Sequence, residues 1–279
     1  MPIVTSRSAV YEDWPSRPDD FDSIPLLRDD RGRRYSYLRL SVTDRCDLAC
    51  LYCMPPSGEE DHALRRDLLS FEEAARLISV FSQAGIRRVR LTGGEPLVRK
   101  DIVRLVDLVH RRTEVEELVM TTNATRLGEL ARPLREAGLV GVNISIDSLQ
   151  PERFASITRG GELGRVLAGI HAALDVGLQV KLNTVPLRGQ NDDELADIVD
   201  FAWSIGAVPR FIELMPLGVS AEAQFSVDRF VANEEVARAI TAALGPLEAL
   251  VNDDPADEAR NFRLAGARGT IGFISPVSE

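Results

Sequence analysis

The chain has 279 residues, 44% hydrophobic and 27% charged, the balance of a globular protein, with a formal net charge of −10. That charge excludes a general grip on a nucleic-acid backbone, which needs a basic face, but leaves room for a small anion held by a few buried cations. No apolar run approaches the ~20 residues of a membrane span, and the first residues lack the basic start and apolar stretch of a signal peptide.

Residues 1–34 are rich in Pro, Asp and Arg and show no sustained period. They read as a flexible N-terminal arm, on which Trp14, Phe21, Ile24 and Leu26 are the groups able to dock. Strands and helices then alternate. "YLRLSV" is a first strand, and "SFEEAARLISVFSQAG" a helix with Ser70 and Glu73 as its capping box and Gly85 as its stop. Its apolar stripe is Ala74, Leu77, Ile78 and Phe81. "IRRVRLT" is a strand, "DIVRLVDLVHRR" a helix opened by Asp101, "EELVMTT" a strand, and "LGELARPLREAG" a helix in spite of Pro133. "LVGVNISID", "LQVKLNTV" and "VPRFIEL" are further strands, each preceded by helical sequence. In "GQNDDELADIV", Asn191 and Glu194 read as another helix cap, and His110 and His171 as packed or solvated helix residues.

The alternation predicts an α/β fold whose parallel sheet, open or nearly closed into a barrel, carries its site beyond the C-terminal strand ends. This unit is expected over 35–218. Residues 219–279 form a C-terminal extension, with a helix near 233–244, an acidic loop, and "FRLAG" and "GTIGFIS" as an appended hairpin.

All three cysteines, Cys46, Cys50 and Cys53, lie in "TDRCDLACLYCMPP", directly after the first strand. An odd, crowded set is a poor disulfide framework, so the expected compartment is the reducing cytoplasm. Two metal readings stay open. Structural zinc wants four ligands and would have to recruit His62 across a loop. A 4Fe–4S cluster normally takes four thiolates, so three leave one iron with a position for a ligand or substrate. The Cys-x3-Cys-x2-Cys spacing resembles the radical S-adenosylmethionine (SAM) superfamily. There the three cysteines hold the cluster, and the methionine part of SAM fills the fourth position.

Two features lie beyond the cysteines. "RLTGGEP" ends the second strand, and its glycines permit close approach of the main chain to a ligand, with Glu95 as an acceptor for an ammonium. Polar residues also interrupt strands that should be continuously apolar: Arg39, Arg90, Asn143 with Ser145, Lys181 with Asn183, and Arg210. Residues two apart share a face, and buried cations need anionic partners, so the strands enclose a polar chamber with basic walls suited to a phosphorylated substrate.

From about Tyr37 onward, "LRLSVTDRCDLACLYCMPP", "LTGGEPLVRKD", "TTNA", "VNISIDSL", "VKLNTV" and "RFIELMPLG" resemble the GTP 3′,8-cyclase family of molybdenum-cofactor biosynthesis. The resemblance implies an incomplete (β/α)6 barrel with a short C-terminal hairpin extension. It implies SAM contacts at Tyr52, Gly94, Glu95, Ser145 and Met215, and GTP contacts at Arg39, Arg90, Thr121 and Lys181. The implied chemistry takes hydrogen from ribose carbon 3′ and joins that carbon to guanine carbon 8. The product is (8S)-3′,8-cyclo-7,8-dihydroguanosine 5′-triphosphate, which a pyranopterin-forming partner synthase consumes. An electron donor such as flavodoxin or ferredoxin is implied, and a homodimer is compatible with the family.

Two departures stand out. Ala124 replaces the family's usual glycine, a change that matters if the turn needs positive φ. The family's second three-cysteine motif, expected after "GTIGFISPVSE", is not in the sequence, so a shortened chain is expected. The alternatives are a one-cluster radical SAM enzyme on another phosphorylated or peptidic substrate, and a non-catalytic metal-binding module.

Overall fold

A computed structural model describes residues 26–54, 62–64, 66–215, 225, 227–251, 258–266 and 269–278. The alternation is realised as β1 (Tyr37–Ser41), α1 (Phe71–Gln83), β2 (Arg88–Thr92), α2 (Ile102–Arg112), β3 (Glu117–Thr122), α3 (Leu127–Glu136) and β4 (Gly141–Ser145). There follow α4 (Pro151–Thr158), α5 (Leu163–Asp175), β5 (Gln179–Thr184), α6 (Leu195–Ser204), β6 (Val208–Ile212) and α7 (Asn233–Leu244). Three strands end the described chain: β7 (Leu247–Ala249), β8 (Arg260–Leu264) and β9 (Thr270–Ile274).

The strands form one sheet in the order β1-β2-β3-β4-β5-β6-β9-β8-β7. β1 to β6 are parallel, and the sheet does not close on itself: this is the incomplete (β/α)6 barrel, with a C-terminal hairpin. The hairpin is less of an appendage than the sequence suggests. β9 pairs in parallel with β6, β8 returns antiparallel, and the short β7 adds a further strand. Leu195 and Val199 of α6, Val236 and Ile240 of α7, and Phe211 and Phe273 share one apolar cluster, so the extension and the βα units have common packing.

Register explains the interrupted strands. Arg39 stands beside Arg90, Thr121 beside Asn143, Asn143 beside Lys181, Ser145 beside Asn183, and Asn183 beside Arg210. With a side-chain period of two, this polar set occupies the inner face. The alternate residues, including Val89, Leu91, Met120, Ile144 and Leu182, are buried under the helices.

The capping box of α1 forms as expected: Ser70 Oγ accepts from Glu73 N at 3.1 Å, and Glu73 Oε2 accepts from Ser70 N at 2.8 Å. Asp101 precedes α2 at φ 61 without a side-chain capping bond. Of the segment read as a flexible arm, residues 26–34 instead make a tight turn held by Leu27 N to Ala84 O and Tyr35 N to Leu27 O, with Leu26 lying over Gly85. Trp14, Phe21 and Ile24 lie outside the described residues. Among the described residues no helix is long and apolar enough to cross a membrane.

Glu194 stands at the N-cap position of α6, but neither it nor Asn191 makes a side-chain capping bond to that helix. Asn191 is fully buried, accepts from Leu187 N, and donates to the carbonyls of Asp147 and Val185. Glu194 accepts from Leu149 N and pairs with Arg153 at 2.9 Å. The acceptor-rich spacing that signals a cap instead stitches the loop after β5 to the end of β4. His110 packs over Gly138, and His171 is exposed.

Candidate active site

The cysteine loop lies across the C-terminal ends of β1 and β2 because two glycines let it. Gly94 N donates to Thr43 O at 2.8 Å, and Glu95 N to Arg45 O at 2.7 Å. A Cβ on Gly93 would fall 2.4 Å from Thr43 O, and one on Gly94 2.5 Å from Arg45 O. The close approach that these residues permit is therefore first to the cysteine loop itself. The other side of the loop is pinned by Ala49 N to Thr158 O and Leu51 N to Ile157 O.

The Glu95 carboxylate is also more occupied than a free acceptor. It is 1% exposed and receives Leu97 N, Thr122 Oγ1 and Asn123 N at 2.9, 2.7 and 2.6 Å. Burial pushes its pKa up to about 7 against the pull of those three bonds. Asn123, delivered by this contact, donates to Asp47 Oδ1 at 2.7 Å and to Cys46 Sγ at 3.8 Å, tying the end of β3 to the cysteine loop.

Cys46, Cys50 and Cys53 border one cavity of about 150 Å3, together with Gly93, Gly94 and Glu95. Burial pushes the Cys50 thiol far up, and the neighbouring Asp147, Cys53 and Cys46 add to the shift. Cys46 is raised for the same first reason, while Leu48 N opposes it. Three thiolates gathered here need a cationic group among them. A four-iron cluster suits this donor set: soft sulfur ligands, space between them, and backbone and amide N–H groups directed at a sulfur. Among the described residues no group of His, Cys, Asp and Glu is placed to hold a single metal ion. His62, which a zinc site would recruit, faces Asp44 at 3.6 Å instead.

A second cavity, of about 500 Å3, fills the barrel interior and shares Tyr52, Thr121, Ser145 and Asp147 with the first as a common wall. Arg39, Arg90, Arg210 and Arg260 line it as basic groups, and Met215 also borders it. Of the expected substrate residues, Arg39, Arg90 and Thr121 border this cavity. Lys181 does not. It borders a deeper space of about 30 Å3, where Arg90 and Arg210 also reach. Buried polar atoms face the interior unpaired: Arg90 Nε, Asn143 Nδ2 and Asn183 Oδ1 lack hydrogen-bond partners.

Sequence reasoning missed two carboxylates. Asp147, 2% exposed, accepts from Tyr52 Oη at 2.6 Å and from Val185 N at 2.9 Å. Burial raises its pKa to about 6, opposed by those two bonds. Continuing the inward alternation of Asn143 and Ser145 by two residues would have found it. Glu258 lies 3.6 Å from Arg39 and 3.4 Å from Arg90, and nothing in its acidic loop signals that contact.

A partial βα barrel with three cysteines on the loop after its first strand defines a radical SAM protein, and the Radical SAM superfamily model matches residues 40–202. Among solved structures, Streptococcus suis SuiB bound to S-adenosylmethionine shares the fold at TM-score 0.62 and 16% identity, over 75% of this chain and 46% of that one. Methylornithine synthase (PylB) does so at TM-score 0.56 and 16% identity, over 74% of this chain and 62% of that one. The GTP 3′,8-cyclase of Peptoclostridium acidaminophilum is 42% identical over 258 residues, 92% of this chain and 78% of the relative. That of Ectopseudomonas mendocina (strain ymp) is 45% identical over 256 residues, 91% of this chain and 75% of the relative. The chain belongs to the GTP 3′,8-cyclase family of the radical SAM superfamily, whose cofactors are a 4Fe–4S cluster and SAM.

Proposed function

We propose that the chain converts GTP to (8S)-3′,8-cyclo-7,8-dihydroguanosine 5′-triphosphate, the first step of molybdenum-cofactor biosynthesis. The observation that carries this reading is the common wall: the thiol-lined cavity opens directly beside a basic chamber through Tyr52, Thr121, Ser145 and Asp147. A cofactor at the cysteines and a nucleotide in the chamber are thereby held in contact, with water displaced from between them.

Cys46, Cys50 and Cys53 hold the cluster. With SAM bound to it, the cluster supplies the one-electron cleavage of a sulfonium that starts radical chemistry. Gly94 and Glu95 border the methionine end, and Tyr52, Ser145 and Met215 the nucleoside end. Arg39 and Arg90 receive the phosphates as charge-assisted donors, Lys181 attracts them from the deeper layer, and Thr121 orients the nucleotide beside the cofactor. Together these residues orient the ribose toward the cofactor and keep the reacting edge dry. A pyranopterin-forming synthase then takes the product, a flavodoxin- or ferredoxin-type protein supplies electrons, and the setting is the cytoplasm.

The test is anaerobic reconstitution followed by SAM, dithionite and GTP. The expected products are 5′-deoxyadenosine and the cyclised nucleotide, and Cys50→Ala should abolish both and lower iron content. Undiminished 5′-deoxyadenosine in that variant would defeat the cluster assignment, and its formation without any GTP-derived product would defeat the substrate.

A further inference from the structure

Tyr52 sits between two cysteines, and its ring lies in an apolar nest with Ile157, Leu187 and Leu214. The burial free energy of that nest is non-directional and gives the hydroxyl no preferred partner. The directional contact is the 2.6 Å bond from its hydroxyl to Asp147 Oδ2, across 95 residues of sequence.

Asp147 is itself held from two further sides. Its Oδ1 receives Val185 N at 2.9 Å, and its carbonyl receives Asn191 Nδ2 at 2.8 Å, while the same amide group bonds Val185 O at 3.0 Å. The carboxylate therefore has little freedom. The backbone of the cysteine loop needs no help from it, since Ala49 and Leu51 already bond α4, and Cys53 and Met54 close a turn on Cys50 O. Packing alone would not call for a carboxylate. Burying one beside thiols costs several kcal/mol, and an apolar pair of similar shape is often as stable or more so. What an apolar pair cannot supply is an angle.

We propose that Asp147 is a positioning residue: it sets the tilt of the Tyr52 ring at the wall between the two cavities, and so shapes the seat for the adenosyl group of SAM. This rests on the reading of Tyr52 as a SAM-facing residue. Asn191 extends the device by holding Asp147 and Val185 in one frame.

The experiment is a double-mutant cycle on the reconstituted full chain, with Tyr52→Phe, Asp147→Ala and the pair. Three quantities are read: iron and sulfide content, the SAM dissociation constant by calorimetry, and the change in the reduced cluster's paramagnetic signal on adding SAM. Each single variant is expected to weaken SAM binding about tenfold with a diminished spectral change, and the pair to be no weaker than the weaker single. Tyr52→Phe should keep its cluster content while SAM binding weakens, which separates positioning from loss of the folded cysteine loop. If Asp147→Ala fails to load, Asp147→Asn takes its place in the cycle. Wild-type SAM affinity in Tyr52→Phe, or losses that simply add, would overturn the inference. A wild-type chain with a full cluster that binds no SAM would instead sink the reading of Tyr52 beneath it.

Discussion

Glu258 and Arg90 are 168 residues apart in the sequence and 3.4 Å apart in the barrel mouth, where the carboxylate also faces Arg39 at 3.6 Å. Glu258, two residues before β8, thus supplies the counter-charge for the wall that a triphosphate is proposed to occupy. An anionic ligand and this carboxylate compete for the same two guanidinium groups. Glu258→Gln is expected to bind GTP about three- to tenfold more tightly, most clearly at low salt, because the competing charge is gone. Titration calorimetry with GTP, and with inorganic tripolyphosphate in parallel, measures this; weaker binding would make Glu258 a substrate contact.

Arg90 should behave in the opposite sense. Its guanidinium lies over the Tyr37 ring at 5.0 Å and borders the large cavity. Arg90→Ala is expected to weaken GTP binding at least about tenfold while iron and sulfide content stay at wild-type values. Loss of both together would mark the residue as structural.

Ala124 sits at φ 62 and is fully buried. A non-glycine residue pays about 1 kcal/mol or more there, partly offset by the burial of its methyl group. Ala124→Gly should therefore stabilise the chain by about 0.5 kcal/mol in urea unfolding. A destabilised variant would show that the methyl's packing outweighs the relieved strain.

Gly94→Ala places a Cβ 2.5 Å from the Arg45 carbonyl, a backbone atom that cannot step aside alone. The cysteine loop must lift from β2, so the variant should load markedly less iron under reconstitution conditions that saturate the wild type. A drop of about 1–3 kcal/mol in stability should accompany it.

Glu95 gives a pH signature in the cluster-free chain. Its pKa rises from 4.5 to about 7 on folding, so the folded state binds the proton more tightly than the unfolded state. Its contribution is fully present below the unfolded value and is lost as pH rises from about 4.5 to 7. Glu95→Gln removes that slope. Compared at pH 5 and pH 8, the stability of wild type relative to the variant should fall at the higher pH by a few kcal/mol. An unchanged difference would mean that the three donors around the carboxylate fully offset its burial.

Much of this was legible because it is local. The three cysteines, the glycine pair, the capping box of α1 and the alternation of polar residues in the strands each fall within one element or one turn. Spacing along the chain translates directly into position at that scale, since successive strand residues point to opposite faces. The cysteine loop, the barrel and its basic interior follow from such patterns, and the warning attached to Ala124 was local too.

What only the tertiary structure decided are the pairings between distant segments. Nothing near Asp147 announces Tyr52, nothing in the acidic loop announces Arg39 and Arg90, and Asn191 carries the spacing of a cap while serving as a staple between strand ends. Glu95 likewise looks like a ligand for an ammonium group, yet most of its capacity binds the chain's own amides. A side chain's residue type sets which bonds it is able to make. Which partner it meets depends on how the sheet's register and the crossovers bring distant strand ends together, and that is a property of the whole fold.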